Sequence, residues 1–193
     1  MSIYFLANNI DVIKLVNNIN FNENDLLITY NKCQHLYNIP KVYNHNNRIH
    51  IIRAGNEMIH YDSKISKYLN NCKKIYIIGN LINNEYINKY ILNIINNYNI
   101  IDISKEKNIY EELIKMKFLL KNNKKEPQTG LLSYLYLKTH IKDFNNKKKY
   151  LFGFTNDYTN EKLKLWRGHS KELEQTYYQN ELLIDSNLVK IDK

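Results

Sequence analysis

The run "SIYFLANNIDVIKLVNNI", residues 2–19, decides the fold class. Its opening "SIYFLA" (2–7) is apolar and rich in β-forming side chains, too short for a helix and followed by the turn-forming Asn8 and Asn9, so it predicts a buried strand. The period then changes. Ile10, Ile13, Leu15 and Val16 recur at helical spacing, so a polar turn leads from the strand into a helix.

The same alternation continues along the chain. "DLLITY" (25–30), "RIHIIRA" (48–54), "KKIYIIG" (73–79) and "NIIDIS" (99–104) predict further strands, and "KKKYLFGF" (147–154) is the last strong one. Helical spacing marks "NNEYINKYILNIINNY" (83–98), "KNIYEELIKMKFLLKN" (107–122) and "SKELEQTYYQNELL" (170–183). Strands alternating with helices predict an α/β fold: one Rossmann-like domain over 1–193, a mostly parallel sheet flanked by helices, and a small lid over 155–168. Ligands of such sheets bind at the carboxyl ends of the strands, which gathers Asn8, Asn9, Asn31, Arg53 to Asn56, Gly153 and Phe154 as candidates.

With 193 residues, 44% of them hydrophobic, the chain is long enough to bury a full core. The net charge of +9 and pI near 9.3 invite a nucleic-acid or anionic-surface reading. However, the lysines are scattered, with short runs only at Lys124-Lys125 and Lys147–Lys149, and such runs commonly form solvated faces. Cys33 and Cys72 are the only cysteines and lack C-x-x-C spacing, so neither a disulfide framework nor a zinc site is supported, and a reducing compartment is expected. The N-terminus has no basic n-region and its apolar stretch is broken by Asn8, Asn9 and Asp11, which predicts a cytoplasmic protein without signal peptide or transmembrane segment. Peripheral contact with an anionic membrane stays compatible with the charge. There is no G-x-x-x-x-G-K-[ST] loop, no G-x-G-x-x-G and no D-x-D pair, so the usual support for ATPase, dinucleotide and metal-dependent glycosyltransferase chemistry is missing.

"PQTGLLSYLYLK" (127–138) stands out in a chain with only two prolines and five glycines. Pro127 ends a basic loop, Thr129 is the candidate N-cap, and a helix starting at Gly130 buries Leu131, Leu132, Leu135 and Tyr136. A glycine at a helix start would let an anion approach the free N–H groups, although an ordinary capped helix has the same pattern.

Taken in order, "PQTG" with its helix, "YLFGF" (150–154) and "GHSKELE" (168–174) resemble the sialyltransferases, both the bacterial lipooligosaccharide group and the wider sialyltransferase-like set. In these a Ser/Thr-Gly helix start, a strand ending in Gly and a late histidine recur in sequence. "IYFLANN" stands where that family has a strand and a glycine-rich Pro-Ser loop, and "NDLLITYNKC" where a strand runs into an asparagine, here Asn31. The loop "ANNID" lacks the family's glycines and Pro-Ser, and 155–168 is shorter than the usual lid.

The resemblance implies metal-free, inverting transfer of a sugar, sialic acid from CMP-sialic acid, to a glycan acceptor, with no cofactor beyond the donor. His169 would be the general base, because an imidazole titrates near neutral pH. Tyr158 would hydrogen-bond the leaving phosphate, Thr129 and Gly130 would offer helix-start amides, Gly153 at the strand's end would join them in binding the nucleotide sugar, and Asn9 and Asn31 would read sugar and base. Two other readings stay open: a non-enzymatic basic α/β protein binding nucleic acid through the Tyr-Lys interleaving of "KKKYLF" and "LKLWRGHSK", and a degenerate glycosyltransferase-like protein without the donor loop.

Overall fold

The computed structural model describes residues 1–8, 10–31, 33–54, 63–79, 97–118, 126–154 and 171–191. The predicted lid segment 155–168 and the helical run at 83–96 lie outside them.

Side chains that alternate between two buried faces build two cores. In β1 (Ile3–Leu6), Ile3 and Phe5 enter one and Tyr4 and Leu6 the other. Successive strand side chains point to opposite faces, so a strand buried on both sides must be apolar throughout, as this one is. β2 (Leu26–Tyr30) and β3 (Arg48–Arg53) repeat the pattern, with Ile28 and Ile51 on the first face and Leu27 and Ile52 on the second. β4 (Lys74–Gly79), β5 (Asn99–Asp102), β6 (Lys149–Phe152) and β7 (Leu188–Ile191) complete a seven-stranded sheet of order β5-β4-β3-β2-β1-β6-β7 in which every pairing is parallel. The expected α/β, Rossmann-like single domain is the observed one. β7 was not predicted: "LVKI" is short, and only its pairing with β6 identifies it as a strand.

The helices divide by face. α1 (Asp11–Asn17), α2 (Pro40–Tyr43) and α3 (Ser63–Asn70) cover the second face through Val12, Val16, Val42, Tyr68 and Leu69. Val12 and Val16 carry α1, whereas Ile10 is 54% exposed, so the expected apolar face is rotated. The first face carries α4 (Lys107–Lys115), α5 (Thr129–His140) and α6 (Lys171–Ile184). α4 is shorter than expected, because Lys117 adopts the left-handed region at φ 64° and ends the helical run. α5 lies between the sheet and α6 and is buried almost all round. Tyr134, not Tyr136, is its buried tyrosine, with its ring 5.5 Å from Phe5 and 6.0 Å from Tyr178, and its hydroxyl donates to Glu181 at 3.0 Å. Burying such a ring is worth about 2–3 kcal/mol.

Two buried cations are structural. Arg48 donates to the carbonyls of Val42, Tyr43 and Tyr68, which closes the end of α2, and stacks 4.2 Å over the Tyr68 ring. Lys149 is fully buried, donating to the carbonyls of Phe144, Asn145 and Lys147 and pairing with Asp185 at 3.0 Å. The run Lys147–Lys149 is therefore not a wholly solvated face. Among the described residues no helix is long and apolar enough to cross a membrane.

Candidate functional site

The strand order proceeds outward from β1 in both directions, through β2 on one side and β6 on the other. The chain leaves β1 for α1 on the second face and passes from β6 to α6 on the first, so the carboxyl ends of β1 and β6 flank a switch point. Ala7 N–H donates to Phe152 C=O at 2.9 Å across this point, and Gly153 then turns at φ 70°, a left-handed conformation that favours glycine.

Asn31, just past β2, sits at φ 49° and ties three elements together. Its Oδ1 accepts from Arg53 N–H at 2.8 Å, its Nδ2 donates to Thr129 Oγ1 at 3.3 Å, and its carbonyl lies 2.8 Å from His50 Nε2. A carbonyl only accepts, so His50 Nε2 carries the proton and Nδ1 accepts from Thr29 Oγ1 at 2.8 Å. Tyr68 O–H in turn donates to Thr29 Oγ1 at 2.9 Å. Burial, reinforced by Arg48 and opposed by the Asn31 hydrogen bond, lowers the His50 pKa to about 3 and keeps the ring neutral. The Asn31 amide expected to read a ligand is thus engaged internally on both atoms.

The start of α5 lies against this knot. Its N-cap residue is Gln128, not Thr129, and the helix begins one residue earlier than expected because Gln128 is the last extended residue, at ψ 160°. Thr129 is buried and accepts from Asn31 instead of capping. The Gln128 backbone N–H donates to Glu174 Oε1 of α6 at 2.5 Å. Glu174 is 5% exposed, and burial pushes its carboxyl up to about 8 against the opposing pull of the Gln128 N–H and of Arg53. Arg53 itself pairs with Glu126 at 2.7 Å and donates to the Pro127 carbonyl at 3.2 Å. A carboxyl therefore already stands beside the helix start at which an anion was expected.

The space above Gly130 is also filled. A Cβ there would come within 2.6 Å of Phe154 Cε1, and Phe154 is held by rings on two sides, Tyr30 at 6.2 Å and Tyr178 at 5.6 Å. Glycine serves ring packing at this point. Gly130→Ala should accordingly destabilise the fold by about 1–3 kcal/mol, read as a lower urea midpoint. An unchanged midpoint would mean that the ring yields freely.

Four side-chain atoms in the described residues are buried without a hydrogen-bond partner: Asn8 Oδ1, Tyr30 Oη, Gln128 Nε2 and Tyr178 Oη. Such atoms cost about 1–3 kcal/mol each when left unpaired, and they are rare in native folds. Asn8 and Tyr30 close β1 and β2, Gln128 starts α5, and Tyr178 lies one helical turn beyond Glu174. Tyr30 and Tyr178 flank Phe154, and Gln128 bonds Glu174 one turn from Tyr178, which makes this edge the candidate site for a polar ligand. Of the residues expected there from sequence, Asn31, Thr129, Gly130 and Gly153 come together, whereas Asn9, Tyr158 and His169 lie outside the described residues. Tyr30, Gln128, Glu174 and Tyr178 were not among the candidates. The two tyrosines were hidden among seventeen. Among the described residues no group of His, Cys, Asp and Glu is arranged to hold a metal. No protein-family model, curated protein or solved structure matches this chain.

Proposed function

We propose that the chain is a metal-independent inverting glycosyltransferase that moves a sugar, sialic acid from CMP-sialic acid, onto a glycan acceptor. The observation that carries this reading is the set of unpaired buried polar atoms of Tyr30, Gln128 and Tyr178, set with a protonatable carboxyl at the carboxyl edge of a parallel α/β sheet. The motifs "PQTG", "YLFGF" and "GHSKELE" give it its chemical class.

In the reaction, the acceptor oxygen forms a bond to the anomeric carbon as the bond from that carbon to the phosphate oxygen breaks. CMP leaves with the electron pair, and the acceptor proton passes to a base, the role assigned to His169. The nucleic-acid reading draws less support, because Lys149 in the middle of "KKKYLF" is enclosed by carbonyls and Asp185.

Thermal unfolding of the whole chain in EDTA tests the proposal. CMP at about a hundred times its dissociation constant should raise the midpoint by roughly 5 °C or more, with UDP and single-stranded oligonucleotides having little effect. A shift with oligonucleotides alone would favour the basic binding protein. No shift with any nucleotide would favour the degenerate glycosyltransferase-like protein.

A further inference from the structure

We propose that the start of α5 is a subsite for an uncharged, hydroxyl-rich sugar ring, held by Glu174, Gln128, Tyr30 and Tyr178 against Phe154, and not a seat for phosphate. This rests on the reading of the carboxyl edge as the ligand site, and it assigns one end of that edge to a chemical class.

Three observations support it. The place beside the helix start that would attract an anion is already taken by the Glu174 carboxyl, which accepts the Gln128 N–H at 2.5 Å. A phosphate brought there would find the Gln128 N–H already engaged and the Glu126 side chain close by. The nearby cation, Arg53, is paired with Glu126 at 2.7 Å, so it is already partly neutralised. The charge that the described residues present at this end favours a neutral guest.

The second observation is the unmet hydrogen-bonding capacity. Tyr30 is 4% exposed and Tyr178 8%, yet neither hydroxyl has a partner, and Gln128 Nε2 has none either. Hydroxyls both donate and accept, and so do the hydroxyls of a sugar. Burial holds both phenols neutral, well above their ordinary value of 10. Glu174, on the same helix face one turn before Tyr178, adds a group that donates when protonated and accepts when ionised.

The third is shape. Phe154 is half-buried, with one part of its ring against Gly130 and its neighbours Tyr30 and Tyr178 set edge-on to it. The C–H face of a pyranose is apolar and packs on such a ring, while its equatorial hydroxyls reach outward to polar groups at the rim.

Ligand-observed NMR on the whole chain tests the assignment, with a panel of neutral mono- and disaccharides, inorganic phosphate and CMP as separate probes. Wild type should bind at least one neutral saccharide, and inorganic phosphate should not displace it. Tyr178→Phe should weaken that saccharide about tenfold or more without lowering the thermal midpoint, because it removes a hydroxyl that bonds nothing in the free protein. Glu174→Gln, which retains an acceptor for the Gln128 N–H, should weaken the saccharide comparably and leave CMP within about twofold. The subsite is overturned if no neutral saccharide binds, if phosphate displaces it, if both variants bind it like wild type, or if Tyr178→Phe is destabilised. Failure of the wider reading looks different. There CMP does not bind wild type, whatever the saccharides do.

Discussion

His169→Ala is expected to bind CMP as wild type does and to transfer sugar a hundredfold to ten-thousandfold more slowly. A general base contributes about that factor, and its loss affects the transition state more than donor binding. Added imidazole should restore part of the rate. The control is His140→Ala. His140 closes α5 at the end away from the carboxyl edge, half-exposed and stacked on Tyr136 at 4.0 Å, so its removal should leave turnover unchanged. If His169→Ala retains full rate, the likeness of "GHSKELE" to a catalytic segment is accidental.

The second large effect is on stability against pH. Glu174 moves from an ordinary 4.5 up to about 8 on folding, so between these values the unfolded chain is ionised and the folded one holds the proton. Its contribution is present below 4.5 and is lost as pH rises to about 8. His50 moves from 6.5 down to about 3, so its contribution is present above 6.5 and is lost as pH falls to about 3. Between 4.5 and 6.5 the two slopes oppose and cancel. Urea unfolding should show a plateau in that window from this pair, with losses on the order of 2 kcal/mol on going from it to pH 3 or to pH 8, since about 1.5 pKa units stay unopposed on each side and one unit is worth about 1.4 kcal/mol. Glu174→Gln should abolish the alkaline loss and, with nothing left to oppose His50, make the acid loss begin already below pH 6.5. An alkaline slope that survives in Glu174→Gln would mean that another group titrates there.

The sheet was legible because its strands are buried on both faces. Ile3 to Leu6 is a continuous apolar run and Leu26 to Tyr30 is broken only by Thr29, and in both hydrophobicity and β propensity agree. Where only one of these signals was present, the reading slipped. β7 has four residues with Val189 39% exposed, and its identity comes from pairing with Tyr150 and its neighbours. Apolar spacing in α5 could not distinguish Tyr134 from Tyr136, because a helix enclosed on several sides has no single buried stripe.

The site was legible by place and less so by residue. The rule for parallel sheets led to the carboxyl ends where Asn31 and Gly153 stand, and "PQTG" was singled out as unusual. The reason for its glycine was not visible, since it depends on Phe154, 24 positions along the chain, coming within 2.6 Å of where a Cβ would stand. Glu174 was likewise unreadable as a candidate. Its raised pKa comes from burial by α6 against the α5 start, a tertiary contact that no local motif announces.

The most direct measurement of the central claim is a crystal structure of the whole chain with an inert CMP-sugar analogue. The analogue should lie across the carboxyl ends of β1, β2 and β6, leaving the place over Phe154 beside Glu174 and Tyr178 open for the uncharged acceptor sugar. Density at any other surface, or a carboxyl edge left unchanged at saturating analogue, would contradict it.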